Sequence, residues 1–173
     1  MTTPEFSDYK IIIIDTENVK YNGNSNNFDF YVNLSEPLRD VYKLKILYDA
    51  FSLPTSNLTD ITKTKNLDNI YINLNDYDRV RTTIGDNNSI SYFDSIMIDL
   101  NKIKNNEGVS ETTMYNDFNE NEGDYYLNPV VSQFNRIDIR LLNKNNTIIK
   151  KDYINRFVMK LCIYYNKKKI SKF

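Results

Sequence analysis

The stretch NDFNENEGDYY, residues 116–126, is where the side chains of this sequence come nearest to a known chemical spacing. Asp117, Asn119 and Asn121 alternate as the first oxygen donors of a calcium loop do. The pattern then stops. The sharp turn of such a loop needs glycine at 122, where Glu122 stands and Gly123 follows one residue late. The acidic closing ligand would fall on Asn128. A solvated acidic loop accounts for the stretch, and no metal ligand is assigned to it.

The remaining inventory is thin. The sequence has no histidine, which removes Ser-His-Asp and Cys-His nucleophile systems and imidazole zinc sites. Its one cysteine, Cys162, can supply neither an intrachain disulfide nor a thiolate cluster. Cys162 lies in an apolar run, where a buried and inert thiol is expected. The four glycines, Gly23, Gly85, Gly108 and Gly123, are scattered and build no phosphate-cradling loop. A glycosidase-type carboxylate pair has no fixed sequence spacing, and nothing singles out two carboxylates. No catalytic residue, resident metal or cofactor is therefore expected. The tail NKKKISKF carries Lys167, Lys168, Lys169 and Lys172. Such a segment can touch lipid or nucleic-acid phosphates, or serve only as a solvated chain end.

The elements that must position these residues read as strands. Phe28, Phe30, Val32 and Leu34 alternate with Asp29, Tyr31 and Asn33. Tyr42, Leu44, Ile46 and Tyr48 are expected on one face of the next strand, with Lys43 and Lys45 outward. Ile137, Ile139 and Leu141, then Phe157, Met159, Leu161 and Ile163, repeat the pattern late in the chain. Period-two alternation is the signature of a half-buried strand. The expected strands cover residues 10–16, 28–34, 41–51, 69–75, 90–100, 112–118, 134–142 and 156–165. Pro37 is expected to end pairing and to set the turn between the second and third. The connections 52–68, 76–89 and 119–133 are long and polar, and the first could hold a helical turn. Tight meander hairpins use far shorter loops, so Greek-key or jelly-roll wiring is expected.

Composition agrees. The 173 residues suit one domain, 1–173, with enough chain to bury a core. The 14 Tyr, 9 Phe and 4 Gly favour strands over a flexible linker. A formal net charge of -1 argues against a general polyanion binder. The apolar run Ile11–Ile14 is too short for a signal core or a membrane span. With one cysteine, the chain suits a reducing compartment. The fold class expected is all-β, a single sandwich of about eight antiparallel strands.

The stretch FYVNLSEPLRDVYKLKILYDAF, residues 30–51, resembles the early strands of single jelly-roll capsid proteins of large eukaryotic DNA viruses and their satellite viruses. NPVVSQFNRIDIRLLNKNNTII (128–149) resembles the family's late strand and following hairpin, and NRFVMKLCIYY (155–165) its closing strand. The late connection departs from the pattern at Asn143-Lys144-Asn145-Asn146, with Asn where glycine is more usual. The chain is too short for the double jelly roll of a major capsid protein. The resemblance implies a structural virion protein and not an enzyme. It implies a penton subunit forming pentamers at icosahedral vertices, or a minor capsid protein between or beneath major capsomers. Its implied partners are copies of itself, the major capsid protein and other minor capsid proteins. Contact of the basic tail with an inner membrane or nucleic acid is a further expectation. Synthesis in the host cytoplasm and residence in the virion follow from the same resemblance. Arg39, Asp40, Tyr31 and Tyr71 are the residues expected at subunit interfaces. A carbohydrate- or receptor-binding jelly-roll module, and an enzyme built on a sandwich around a buried carboxylate pair, are the alternatives of other classes.

Overall fold

The computed structural model describes residues 7–54, 69–77, 80–84, 88–97, 111–117 and 124–167. Among them there are ten strands and no helix. These are β1 (Ser7–Asp15), β2 (Lys20–Tyr21), β3 (Asp29–Pro54), β4 (Asn69–Leu74), β5 (Val80–Ile84), β6 (Asn88–Tyr92), β7 (Asp94–Met97), β8 (Glu111–Asp117), β9 (Asp124–Leu142) and β10 (Arg156–Asn166). Eight form one antiparallel sheet in the order β1-β10-β3-β9-β4-β7, with β2 and β8 also paired to β3, while β5 and β6 form a separate hairpin. The sheet curls on itself, so Ile14 of β1 and Ile72 of β4 belong to one buried cluster although three strands separate them. The fold is all-β and jelly-roll-like, as the alternation predicts. β3 is long enough to run through the curl, so the hydrogen-bonded ladder continues around the fold.

β3 organises the rest. Along one side it pairs first with β9 (Asp29–Lys45) and then with β8 (Tyr48–Pro54). Along the other it pairs with β2 and then β10. The two expected strands 28–34 and 41–51 are therefore one, and the Pro37 turn between them is corrected. Pro37 lies in the middle of a central strand, which the expected turn did not allow. It is accommodated by a bulge: Asn33 pairs with Arg136 and Leu38 with Phe134, so Leu34–Pro37 stand opposite the single residue Asn135. The prolyl nitrogen thus needs no ladder partner, and Pro37 is exposed. A reciprocal bulge on β9 sets Leu127–Val130 opposite Tyr42, and includes the cis peptide Asn128–Pro129.

Two further irregularities decide which side chains reach the core. Tyr42 and Leu47 are passed over in the pairing of β3 with β10. Each extra residue inverts the alternation that follows. Leu44 and Ile46 are buried as expected, but after Leu47 the inward positions become Asp49, Phe51 and Leu53. Tyr48 pairs with Lys160 on the opposite face, so Tyr42 and Tyr48 do not share the Leu44–Ile46 row. The late core residues Ile137, Ile139, Leu141, Phe157, Met159, Leu161 and Ile163 are all fully buried. Phe28 and Phe30 are too, while Val32 and Leu34 are partly buried against the same cluster.

Other boundaries moved. The expected strand 90–100 is broken at Phe93, whose amide donates to the Ile72 carbonyl. Its two halves, β6 and β7, pair with β5 and β4 respectively. β5 occupies part of the expected connection 76–89, and β9 begins ten residues before 134. The helical turn considered within 52–68 falls on 55–68, outside the described residues.

Candidate functional site

One broad sheet face is built by register. Partners directly opposite in antiparallel strands share a face. Tyr9, Tyr164, Lys43 and Tyr126 thus form one row across β1, β10, β3 and β9. Ile11, Cys162, Lys45 and Asp124 form the next. At its centre the Lys43 ammonium lies 3.8 Å from the Tyr164 ring centroid and 3.1 Å from Asp124 Oδ2. Lys45 Nζ lies 3.7 Å from Asp124 Oδ1. Both lysines lie on the outer face, as expected, where Lys45 is nevertheless buried and Lys43 half-buried. The Lys43 ammonium lies over the Tyr164 ring, and the charge of both lysines is met by Asp124. Burial raises the Cys162 thiol above its ordinary range, so it sits here as an inert neutral group. Burial, then the hydrogen bond with Cys162, pushes the Tyr164 phenol up to about 12.

Towards β1 this face turns apolar and open. Tyr9 is 59% exposed, Ile11 44% and Ile13 69%. They project from an edge strand whose other row, Ile12 and Ile14, packs on the core. Large apolar side chains in a line on a sheet edge are unusual on a soluble surface and mark contact surfaces.

A second feature is interior. Asp49 follows the Leu47 bulge and opposes Met159 of β10, which opposes Ile14 of β1. Asp49 is 0% exposed, and among the described residues neither carboxylate oxygen has a hydrogen-bond partner. Asp94 opposes Ile72, which opposes Leu141, so it also faces the core side. Asp94 Oδ1 accepts from the Ser95 amide at 2.8 Å. Desolvation, with the charge of Asp94 added, pushes Asp49 up to about 8, so it is protonated at neutral pH. Such a pair is the raw material of acid-base chemistry. The fully buried position of Asp49 opens it to no substrate.

The third feature is a shallow cleft of about 230 Å³ lined by Asn22, Asp29, Asn73, Asn75, Asp138 and Arg140, with Asp76 at its rim. Its charges satisfy one another. Arg136 Nε donates to Asp138 at 2.9 Å, Arg140 donates to Asn73 at 3.0 Å and pairs with Asp76, and Asn22 donates to Asp29 at 2.9 Å. Among the described residues no aromatic side chain lines this cleft.

The residues expected at interfaces are not brought together. Arg39 is exposed, and Asp40 beside it holds a left-handed φ of 53°. Tyr31 is half-buried, with the Arg136 guanidinium 3.9 Å from its ring centroid. Tyr71 is a correction: it is 8% exposed and packs on Tyr92 at 4.6 Å between centroids. It alternates with inward Ile70 and Ile72 but is covered on its own face by Tyr92 and Leu142. The centre of the acidic loop, 118–123, lies outside the described residues. So does the basic tail beyond Lys167, which itself pairs with Asp8. Among the described residues no group of three or more His, Cys, Asp or Glu side chains is placed to hold a metal ion. Sequence reasoning missed Asp49, although a lone acid between Ile46-Leu47-Tyr48 and Ala50-Phe51 was a signal. It also missed the open row on β1, although Ile11–Ile14 is apolar on both faces.

No protein-family model matches the chain, and no curated protein matches it in sequence. The class that fold and surface define is an all-β, jelly-roll-like protein with an apolar sheet edge.

Proposed function

We propose that the protein is a structural subunit of a virion shell, a penton subunit that closes as pentamers at icosahedral vertices. The observation that carries this reading is the open apolar row Tyr9, Ile11 and Ile13 on edge strand β1. A shell subunit needs lateral surfaces that are stable in water and still bury apolar area on assembly. The three stretches that resemble capsid jelly rolls fall on β3, β9 and β10, adjacent strands of the sheet. A minor capsid protein seated between capsomers is the alternative within the same class. In either role the neighbours are further copies, the major capsid protein and other minor capsid proteins, with the basic tail reaching lipid or nucleic acid.

A ring interface joins two different surfaces of each subunit. Native mass measurement of the purified chain, alone and with its major capsid protein, tests the reading. A mass of five times 20.5 kDa, or incorporation into shells, supports it. A subunit that never enters shells formed in its presence contradicts it.

A further inference from the structure

β1 is free along one edge among the described residues. An open edge presents unpaired backbone amides and carbonyls, and natural edges are blunted by proline, bulges, short length or charge. β1 has none of the first three. Its register with β10 is unbroken from Ser7 to Asp15, it runs nine residues, and it contains no proline. The opposite edge, β7, has only four residues. Across the middle of β1, from Tyr9 to Ile14, the one charge is Lys10. Both acidic ends are neutralised within the subunit, Asp15 by Arg156 and Asp8 by Lys167.

We infer that β1 pairs antiparallel with β1 of a second copy about a two-fold axis at Ile11, continuing the sheet from one subunit into the next. The sequence of the strand selects that register. Centred on Ile11, Tyr9 meets Ile13 of the other copy, Ile11 meets Ile11, and Ile13 meets Tyr9, so the exposed row is apolar throughout. On the inner row Lys10 meets Ile12 and Asp8 meets Ile14. Centring on Lys10 would set two ammonium groups face to face. Centring on Ile12 would set Tyr9 against the Asp15 carboxylate. Like charges directly opposite are disfavoured, and matched apolar pairs are favoured, so Ile11 is the preferred centre. The contact is isologous, so it is not the heterologous interface of a ring, although it uses the same open row of β1.

The test is a cysteine cross-link with a mass measurement. Ile11→Cys is made in a Cys162→Ala background, because Cys162 lies directly opposite Ile11 within the subunit. Directly opposed Cα atoms in a β-ladder fall within disulfide reach. Oxidation is expected to give a covalent dimer from Ile11→Cys. Ile13→Cys is expected to give none, since its two copies would stand about 13 Å apart along the seam. The unmodified chain is expected at twice 20.5 kDa at high micromolar concentration, and Ile11→Lys is expected to weaken self-association at least ~10-fold. Ile11 and Ile13 are exposed and Cys162 is buried, so circular dichroism checks that each variant is folded. A monomer that yields no Ile11 cross-link overturns the inference. A five-subunit mass without that cross-link overturns it too, while leaving the ring standing. A cross-linked dimer that forms no ring supports the inference and counts against the pentamer.

Discussion

Replacing Asp49 with Asn should flatten a pH dependence that the wild-type protein carries in its core. Asp49 is fully buried with no hydrogen-bond partner among the described residues, and burial plus the nearby Asp94 charge raise it from 3.8 to about 8. The folded state therefore holds this proton up to about pH 8, while the unfolded chain releases it near pH 4. Between those values the folded state binds more protons than the unfolded one, so stability falls as pH rises. Each pH unit is worth about 1.4 kcal/mol, so the span from pH 5 to 8 costs about 4 kcal/mol. That is a large fraction of the roughly 5–15 kcal/mol available to a small domain. Asn has nearly the same shape and no charge to titrate. Its added amide donor costs about 1–3 kcal/mol at every pH, which offsets the curve without tilting it. The variant should therefore gain on wild type by about 4 kcal/mol between pH 5 and 8. Urea unfolding followed by far-ultraviolet circular dichroism reads this directly, which suits a chain with no tryptophan. Asp8 and Asp15 have lowered values and lose their contributions only at lower pH, outside the window. A difference between the two proteins that stays constant within about 1 kcal/mol would refute the buried, unpartnered carboxylate.

Asp124→Ala removes an ionic partner of both Lys43 and Lys45 and should cost about 1–3 kcal/mol in urea unfolding; no change would mean that the lysines are solvated rather than held. Phe157→Ala empties a core site against Phe30, 6.5 Å away between centroids, and should cost about 3–5 kcal/mol by the same measurement. Pro37→Ala should change stability by no more than about 0.5 kcal/mol, because the bulge leaves residue 37 exposed and out of the ladder. A large loss there would show that Pro37 carries tertiary contacts the bulge does not provide.

Much of the fold was legible because alternation reports burial directly. Phe157, Met159, Leu161 and Ile163 lie on an uninterrupted stretch of β10, and their period-two pattern survives intact. β3 was harder. A bulge leaves no mark in composition, yet Tyr42 and Leu47 each invert the phase, so an alternation read through 41–51 assigns Tyr48 to the wrong face. Pro37 misled for a related reason: proline forbids one ladder bond, and the chain met that limit by bulging rather than turning. Tyr71 was expected at a subunit interface, but Tyr92 and Leu142 cover its face of β4. Asp49 could be seen as an acid in an apolar run, while its inward direction depended on the bulge two residues earlier. The open row on β1 needed the sheet order, since only topology shows that Ile11 and Ile13 end at an edge.

The shell-subunit proposal is tested most directly by a density map of the virion that contains this chain. The account predicts that the curled sheet, with β3 running through it, fits density at the five-fold vertices in five copies. Density for this chain away from the vertices but within the shell would leave the minor capsid role and remove the penton one. A shell with no density for it anywhere would contradict the proposal.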